Sequence, residues 1–317
     1  MRKNLIESIS LVLCLLLGLI PVEAQDGSPR ATSPVQMTVT VRVLGKGKPM
    51  PEVNREDVIV RQGKDRLQVT GWAPIGADRS PLDLFVLIDD AAKSSVSSQF
   101  SDLRDFINAM PANTSVGVGY MRNGTVQIAQ HLTTDHRQAA KALRIPLGSP
   151  GVYGSPYLSV IDLMKRWPET RNRREIVMIT DGIDRRHAWP HHRGLGPISP
   201  DVSSASSLAQ RTGTILHAIY TPGVGWRGSN FWQVANGQNG MSTLANETGG
   251  ESFFLGMGTP ITFRPYLNRF ETGLGNRYRL EFNAVPGTKP GLRYVKLSTE
   301  VAGVELHSAE SVWVATR

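Results

Sequence analysis

Two short apolar runs in this chain each end abruptly in a carboxylate. Leu84-Phe85-Val86-Leu87-Ile88 precedes Asp89-Asp90, and Ile176-Val177-Met178-Ile179-Thr180 precedes Asp181. A continuous apolar, β-branched run bounded by polar residues suits a strand buried on both faces, as in a parallel sheet. Ligand sites of open α/β sheets lie beyond the carboxyl ends of such strands. The two runs therefore predict that Asp89 and Asp181 reach one crevice on the same sheet edge.

Around these runs strand and helix patterns alternate. Helical periodicity marks residues 97–110, with Phe100, Leu103, Phe106, Ile107 and Met110 on one face. Residues 114–121 and 125–132 read as strands joined at Asn123-Gly124, a pair that favours a tight hairpin turn. Helices are expected at 134–143, 156–167, 202–212, 241–247 and around 261–272, and strands at 175–180, 214–220 and 251–255. Gly249-Gly250 suits a helix C-cap, and Thr259-Pro260 suits an N-cap followed by the first helical position. The expected fold is α/β, a doubly wound and mostly parallel sheet. Antiparallel β segments flank it. Residues 35–43 alternate apolar and polar side chains, 57–60 and 67–72 read as further strands, and the tail returns to alternation at 276–283, 292–299 and 304–314. This divides the chain into a signal peptide (1–24), a linker (25–34), an N-terminal β module (35–75), an α/β domain (80–273) and a C-terminal β segment (274–317). Whether the two β segments share a sheet stays open.

The signal peptide rests on Arg2-Lys3, an apolar core over 9–20 and the small-residue pattern Val22-Glu23-Ala24. The apolar core is too short to span a membrane, which takes ~20 residues. The expected location is secreted or periplasmic, with no span in the mature chain. Cys14 is the single cysteine and lies inside the leader, so the mature chain has no thiol nucleophile, disulfide or cysteine zinc site. The net charge of +8 is dispersed. No basic stripe with interleaved aromatics appears, which argues against a nucleic-acid partner.

The strand motifs at Asp89 and at Ile179-Thr180-Asp181-Gly182, the central hairpin and the order of elements resemble a von Willebrand factor A (VWFA) domain. The flanking segments, among them Val53-Asn54-Arg55-Glu56-Asp57-Val58 and Gly275-Asn276-Arg277-Tyr278-Arg279-Leu280, are similar to secreted bacterial proteins, many of them acidobacterial, that carry such a domain between β segments. The resemblance implies a cation site built from D-x-S-x-S, a Thr and a later Asp. Asp89 and Asp181 match its carboxylates. Ala91 and Lys93 stand where its serines would be, and Ser155 is the hydroxyl nearest the Thr position. A hard dication needs oxygen ligands. The expectation is therefore a degenerate site with no cofactor and with Lys93 as an internal counter-ion. The alternative cofactor is Mg²⁺ or another divalent cation, held by Asp89, Ser155 and Asp181. A plainer reading has Asp89 and Asp181 capping their own loops.

Asp184, His187, His191 and His192 could bind a transition metal, but Pro190 disfavours a helix through them and a surface loop with incidental histidines is the simpler reading. No G-x-S-x-G elbow, P-loop or dinucleotide-binding glycine motif occurs. The expected function is a secreted, non-enzymatic binding or adhesion-type protein. Its partner is a protein or envelope polymer, met by an edge holding Asp90, Ser94, Tyr153, Asp184 and Trp226. The alternatives are a metal-dependent adhesion module and a structural scaffold of the cell envelope.

Overall fold

The computed structural model of this 317-residue chain describes residues 32–316, except 46, 77–78, 152–153, 188–193 and 226–229. The signal-peptide residues, most of the linker, Tyr153, His191, His192 and Trp226 lie outside the described residues.

The chain begins with strands β1 (Ser33–Val43), β2 (Val58–Gln62), β3 (Asp65–Leu67) and β4 (Val69–Pro74). The α/β part follows with β5 (Leu82–Asp89), α1 (Phe100–Ala109), β6 (Thr114–Arg122), β7 (Thr125–Thr133), α2 (His136–Lys141), α3 (Pro156–Lys165), β8 (Arg173–Thr180), α4 (Pro200–Thr212), β9 (Thr214–Tyr220), α5 (Phe231–Thr248), β10 (Ser252–Phe253) and α6 (Arg264–Gly275). It closes with β11 (Arg277–Ala284), β12 (Gly291–Tyr294), β13 (Lys296–Thr299), β14 (Val304–Ser308) and β15 (Ser311–Val314).

The central sheet has the order β10-β9-β8-β5-β6-β7, parallel except for β7. All eight residues of β5 are buried, as its apolar run requires. Pleating sends Leu84, Val86 and Ile88 to one face, against Leu103 and Phe106 of α1 and Leu267 and Phe270 of α6. It sends Phe85 and Leu87 to the other face, against α3, α4 and α5. Each such buried side chain contributes roughly 1.5–3 kcal/mol relative to exposure. The sheet is therefore covered on both sides. Its β6–β7 hairpin turns at Asn123 and Gly124, both with positive φ (55° and 69°), the mirror-image turn that matches strand twist.

The flanking segments share one sheet of order β14-β1-β11-β4, in which β1 pairs antiparallel with β11 from Ser33↔Ala284 to Thr40↔Arg277. Val39, Val41, Leu280 and Phe282 form its core. Buried Arg277 ties this sheet to the central one, donating to Glu175 Oε2 at 2.9 Å beside His217. The described residues thus make one compact unit.

The chain differs from expectation in helices α5 and α6 and in its tail strands. Helix α5 begins at Phe231, not near 241, because Asn230 accepts hydrogen bonds from the N–H groups of Trp232 and Gln233 and caps it. The glycines within it look like helix breakers in sequence, but Gly237 is there for a close approach: a Cβ at that position would lie 2.4 Å from the Asp181 carbonyl. Helix α6 starts at Arg264 with Phe263 at its N-cap position, so Thr259-Pro260 do not open it. The last tail runs each split into two short strands, β12 with β13 and β14 with β15.

Candidate functional site

Chain order reverses between β5 and β8, so the crevice between them is the switch point where open α/β sheets hold their sites. Asp89 closes β5 and Asp181 follows β8, its parallel neighbour, so both carboxylates stand at this point. Asp89 Oδ1 accepts the N–H of Ala91 at 2.8 Å. Its Oδ2 accepts the hydroxyl of Thr180 at 2.6 Å, and Thr180 Oγ1 in turn accepts the N–H of Gly182. Burial, with the Asp181 carboxylate acting the same way, pushes the Asp89 carboxyl up to about 6 against the pull of Arg185, Thr180 and Ala91.

Asp181 is fully buried. Its Oδ1 accepts the N–H of Ile183 at 2.9 Å, so both acids cap their loops, as the plainer reading has it. Asp181 also receives Arg185, whose Nη1 donates to Oδ1 at 3.2 Å and Nη2 to Oδ2 at 2.5 Å. Only 9% of the Arg185 side chain is exposed. Burial alone would lower its pKa, but Asp181 and Asp89 outweigh burial and the net shift is upward. The backbone positions this residue through its N–H, which donates to the Gly154 carbonyl at 2.9 Å. The guanidinium needs the bare glycines on either side. A Cβ at Gly223 would meet Arg185 Nη2 at 2.7 Å and Asp181 Oδ2 at 1.8 Å, and one at Gly154 would meet Arg185 Cδ at 3.2 Å.

Lys93 is not the counter-ion expected of it. It is exposed, and its N–H is tied to the Pro222 carbonyl, while Arg185, four residues beyond Asp181, makes the ion pair. Ser155 shares a small pocket with Asp89 and Arg185, but its hydroxyl caps α3 by accepting the N–H of Leu158. A hard dication asks for about six oxygens. Ala91 and Lys93 bring none from their side chains, Ser155 is engaged, and Asp181 gives both oxygens to Arg185. This donor set does not fit the cation that the resemblance implies.

Asp90 does not belong to an exposed edge. It is fully buried and paired with both terminal nitrogens of Arg144 at 2.8 and 2.9 Å, with a third hydrogen bond from the N–H of Leu147. Arg144 also lies over the Tyr120 ring at 3.7 Å. Ser94 is exposed, and Asp184 is buried, with its carboxylate receiving His187 and Ser199. Thr180, Arg185, Arg144 and Asp201 are the residues that sequence reading missed. Of these, Arg185 carried a usable signal, a cation four residues past the acid.

No family model and no curated protein sequence matches the chain, so the acidobacterial affinity expected from the flanking segments has no support. Several solved structures bear a likeness to it. A von Willebrand factor type A protein from Catenulispora acidiphila is 9% identical, with a TM-score of 0.44 over 91% of this chain and 75% of that one. The central sheet's own topology, open and parallel except for β7, is the doubly wound α/β arrangement expected from the sequence. An aerotolerance-related membrane protein from Bacteroides fragilis is 13% identical, with a TM-score of 0.41 over 61% of this chain and 98% of that one. The three N-terminal domains of the type V pili tip protein Mfa5 from Porphyromonas gingivalis are 10% identical, with a TM-score of 0.40 over 91% of this chain and 67% of that one. These likenesses concern the fold alone.

Proposed function

We propose that this chain is a secreted, non-enzymatic binding protein that engages a protein partner through its carboxyl-edge loops without a bridging cation. The observation that carries the reading is where its exposed apolar side chains lie. Among the described residues ten large hydrophobics are exposed, and all but Leu44, Met50 and Tyr294 sit on loops or at a helix start at this one edge. Ile145 and Leu147 flank the loop that hydrogen-bonds Asp90. Leu195 precedes Gly196, which is bound to Asn236 of α5, and Phe231 opens that helix. Leu255, Met257 and Ile261 follow β10, where Tyr220 donates to the Met257 carbonyl. Single exposed apolar residues are ordinary, but a group of them on one edge marks an interaction surface. Apolar contacts favour a protein over a charged envelope polymer.

Arg185 supports the cation-free part of the reading, since it supplies positive charge where a metal would otherwise join the two acids. Asp89, Asp90 and Asp181 have their oxygens committed to hydrogen bonds, which suits loop anchoring better than acid–base chemistry. Export is supported by the leader composition. Among the described residues no helix is long and apolar enough to cross a membrane.

The test is a photo-crosslinking residue placed at Leu147, Phe231 or Ile261 and, for comparison, at Tyr294, in the producing cell with and without added Mg²⁺ and Ca²⁺. The expected result is one common protein adduct at the edge positions, none at Tyr294, and no dependence on the cations. Adducts that require the cations would replace this reading with the metal-dependent adhesion module. Lack of any edge adduct would favour the scaffold.

A further inference from the structure

Beside the Arg185 edge a second group of ligand-type side chains converges. Asp184 lies on the loop after β8, His187 follows it, and Asp201 sits in the first turn of α4. One ligand atom from each lies within 4.8 Å of the others. His187 Nδ1 is 3.0 Å from Asp184 Oδ2 and 3.7 Å from Asp201 Oδ2. Tetrahedral zinc with ligands at ~2.0–2.1 Å needs ligand atoms about 3.3 Å apart, a value that the two His187 distances bracket.

A separate observation points to a missing ligand. Asp201 is only 7% exposed, yet its Oδ2 faces His187 at 3.7 Å and has no hydrogen-bond partner among the described residues. A buried acceptor left unmatched is costly, and 3.7 Å is too long for the imidazole to satisfy it.

We propose that Asp184, His187 and Asp201 form a zinc-type cation site, with the fourth position open to solvent. Two carboxylates and a neutral imidazole make a donor set that suits Zn²⁺, and the imidazole disfavours Mg²⁺ or Ca²⁺. The supporting shell is already in place. Asp184 Oδ1 accepts the N–H groups of Arg186 and His187, and Asp184 Oδ2 accepts the Ser199 hydroxyl. Such outer contacts fix the orientation of metal-binding side chains. The positive end of α4 opposes a cation here, and two carboxylates offset it. About a third of the His187 side chain (34%) is exposed, which gives an entry path. The site uses neither Asp181 nor Arg185, so it stands apart from the proposed edge chemistry. It also differs from the histidine cluster that the sequence offered only as a possibility: His191 and His192 lie outside the described residues, and Asp201 from α4 supplies the third ligand.

The test is calorimetric titration of the purified protein with ZnCl₂, paired with visible absorption on adding Co²⁺. The expected result is one ion per chain, a tetrahedral Co²⁺ band that Zn²⁺ abolishes, and a melting temperature raised by Zn²⁺. His187→Ala and Asp201→Asn each weaken binding at least about tenfold, while the double variant His191→Gln, His192→Gln leaves it unchanged. His187 is partly exposed, so its variant decides the matter if Asp201→Asn fails to fold. The proposal is overturned by the absence of saturable one-to-one binding, or by binding that survives His187→Ala and disappears with His191 and His192.

Discussion

Arg185 lays its guanidinium across both carboxylate oxygens of Asp181, four residues back along the same loop, at 3.2 and 2.5 Å. Both groups are almost wholly withdrawn from water, and Asp89 adds a third charge to the same crevice. A buried pair of this kind need not add net stability, but removing one partner strands the other. Arg185→Ala is therefore expected to destabilise the protein by about 3–5 kcal/mol, with Asp181→Ala costing a similar amount. The double variant should lose clearly less than the sum of the two, as a double-mutant cycle by urea denaturation would read. Additive losses would mean that the pair is not coupled.

Asp89 carries the opposite lesson, because burial favours its neutral form. The unfolded chain releases this proton near pH 3.8, and the folded chain holds it until about 6. Between these values the folded state binds more protons, so this group's contribution to stability falls as pH rises through the window. Asp89→Asn should raise stability at pH 7, by at most about 3 kcal/mol, and the gain should shrink towards zero at pH 4. Thermal melts of both proteins at the two pH values check this. A variant that is equally destabilised at both would show that the carboxylate's hydrogen bonds outweigh its desolvation.

The parallel sheet was readable because β5 and β8 are buried on both faces, and only an unbroken apolar run fits there. The Asn123-Gly124 turn was readable for a similarly local reason, the positive φ that both positions demand. The start of α5 was hidden, since Gly237 and Gly240 depress helix propensity and only packing against the Asp181 loop and Tyr157 explains them. At the site, Asp89 and Asp181 followed from strand ends. Their partners did not: Thr180 reaches Asp89 from the neighbouring strand β8, a pairing across the sheet that a one-dimensional pattern does not encode, and Arg185 was passed over although it stands four residues beyond Asp181. Lys93 occupies the motif position but faces solvent, so sequence register alone assigned the charge to the wrong side chain.

The close approach at Gly237 has its own consequence. A methyl group there would lie 2.4 Å from the Asp181 carbonyl oxygen and 3.1 Å from the Gly182 carbonyl carbon, both backbone atoms with little room to yield. Gly237→Ala should cost about 1–3 kcal/mol by thermal or urea denaturation. Gly196→Ala, where a Cβ meets nothing within 4 Å, should change stability by no more than about 0.5 kcal/mol. Equal effects at the two glycines would contradict the packing of α5 against the edge.

The central proposal is that Arg185, paired with Asp181 beside Asp89, leaves this crevice without a divalent cation. Calorimetric titration of the purified protein with Mg²⁺ and with Ca²⁺ tests it most directly, because a cation that binds the native state must also raise the melting temperature. The account predicts no saturable heat and no thermal shift with either ion. Saturable binding that disappears in Asp181→Ala would contradict it and make metal-bridged adhesion the leading function.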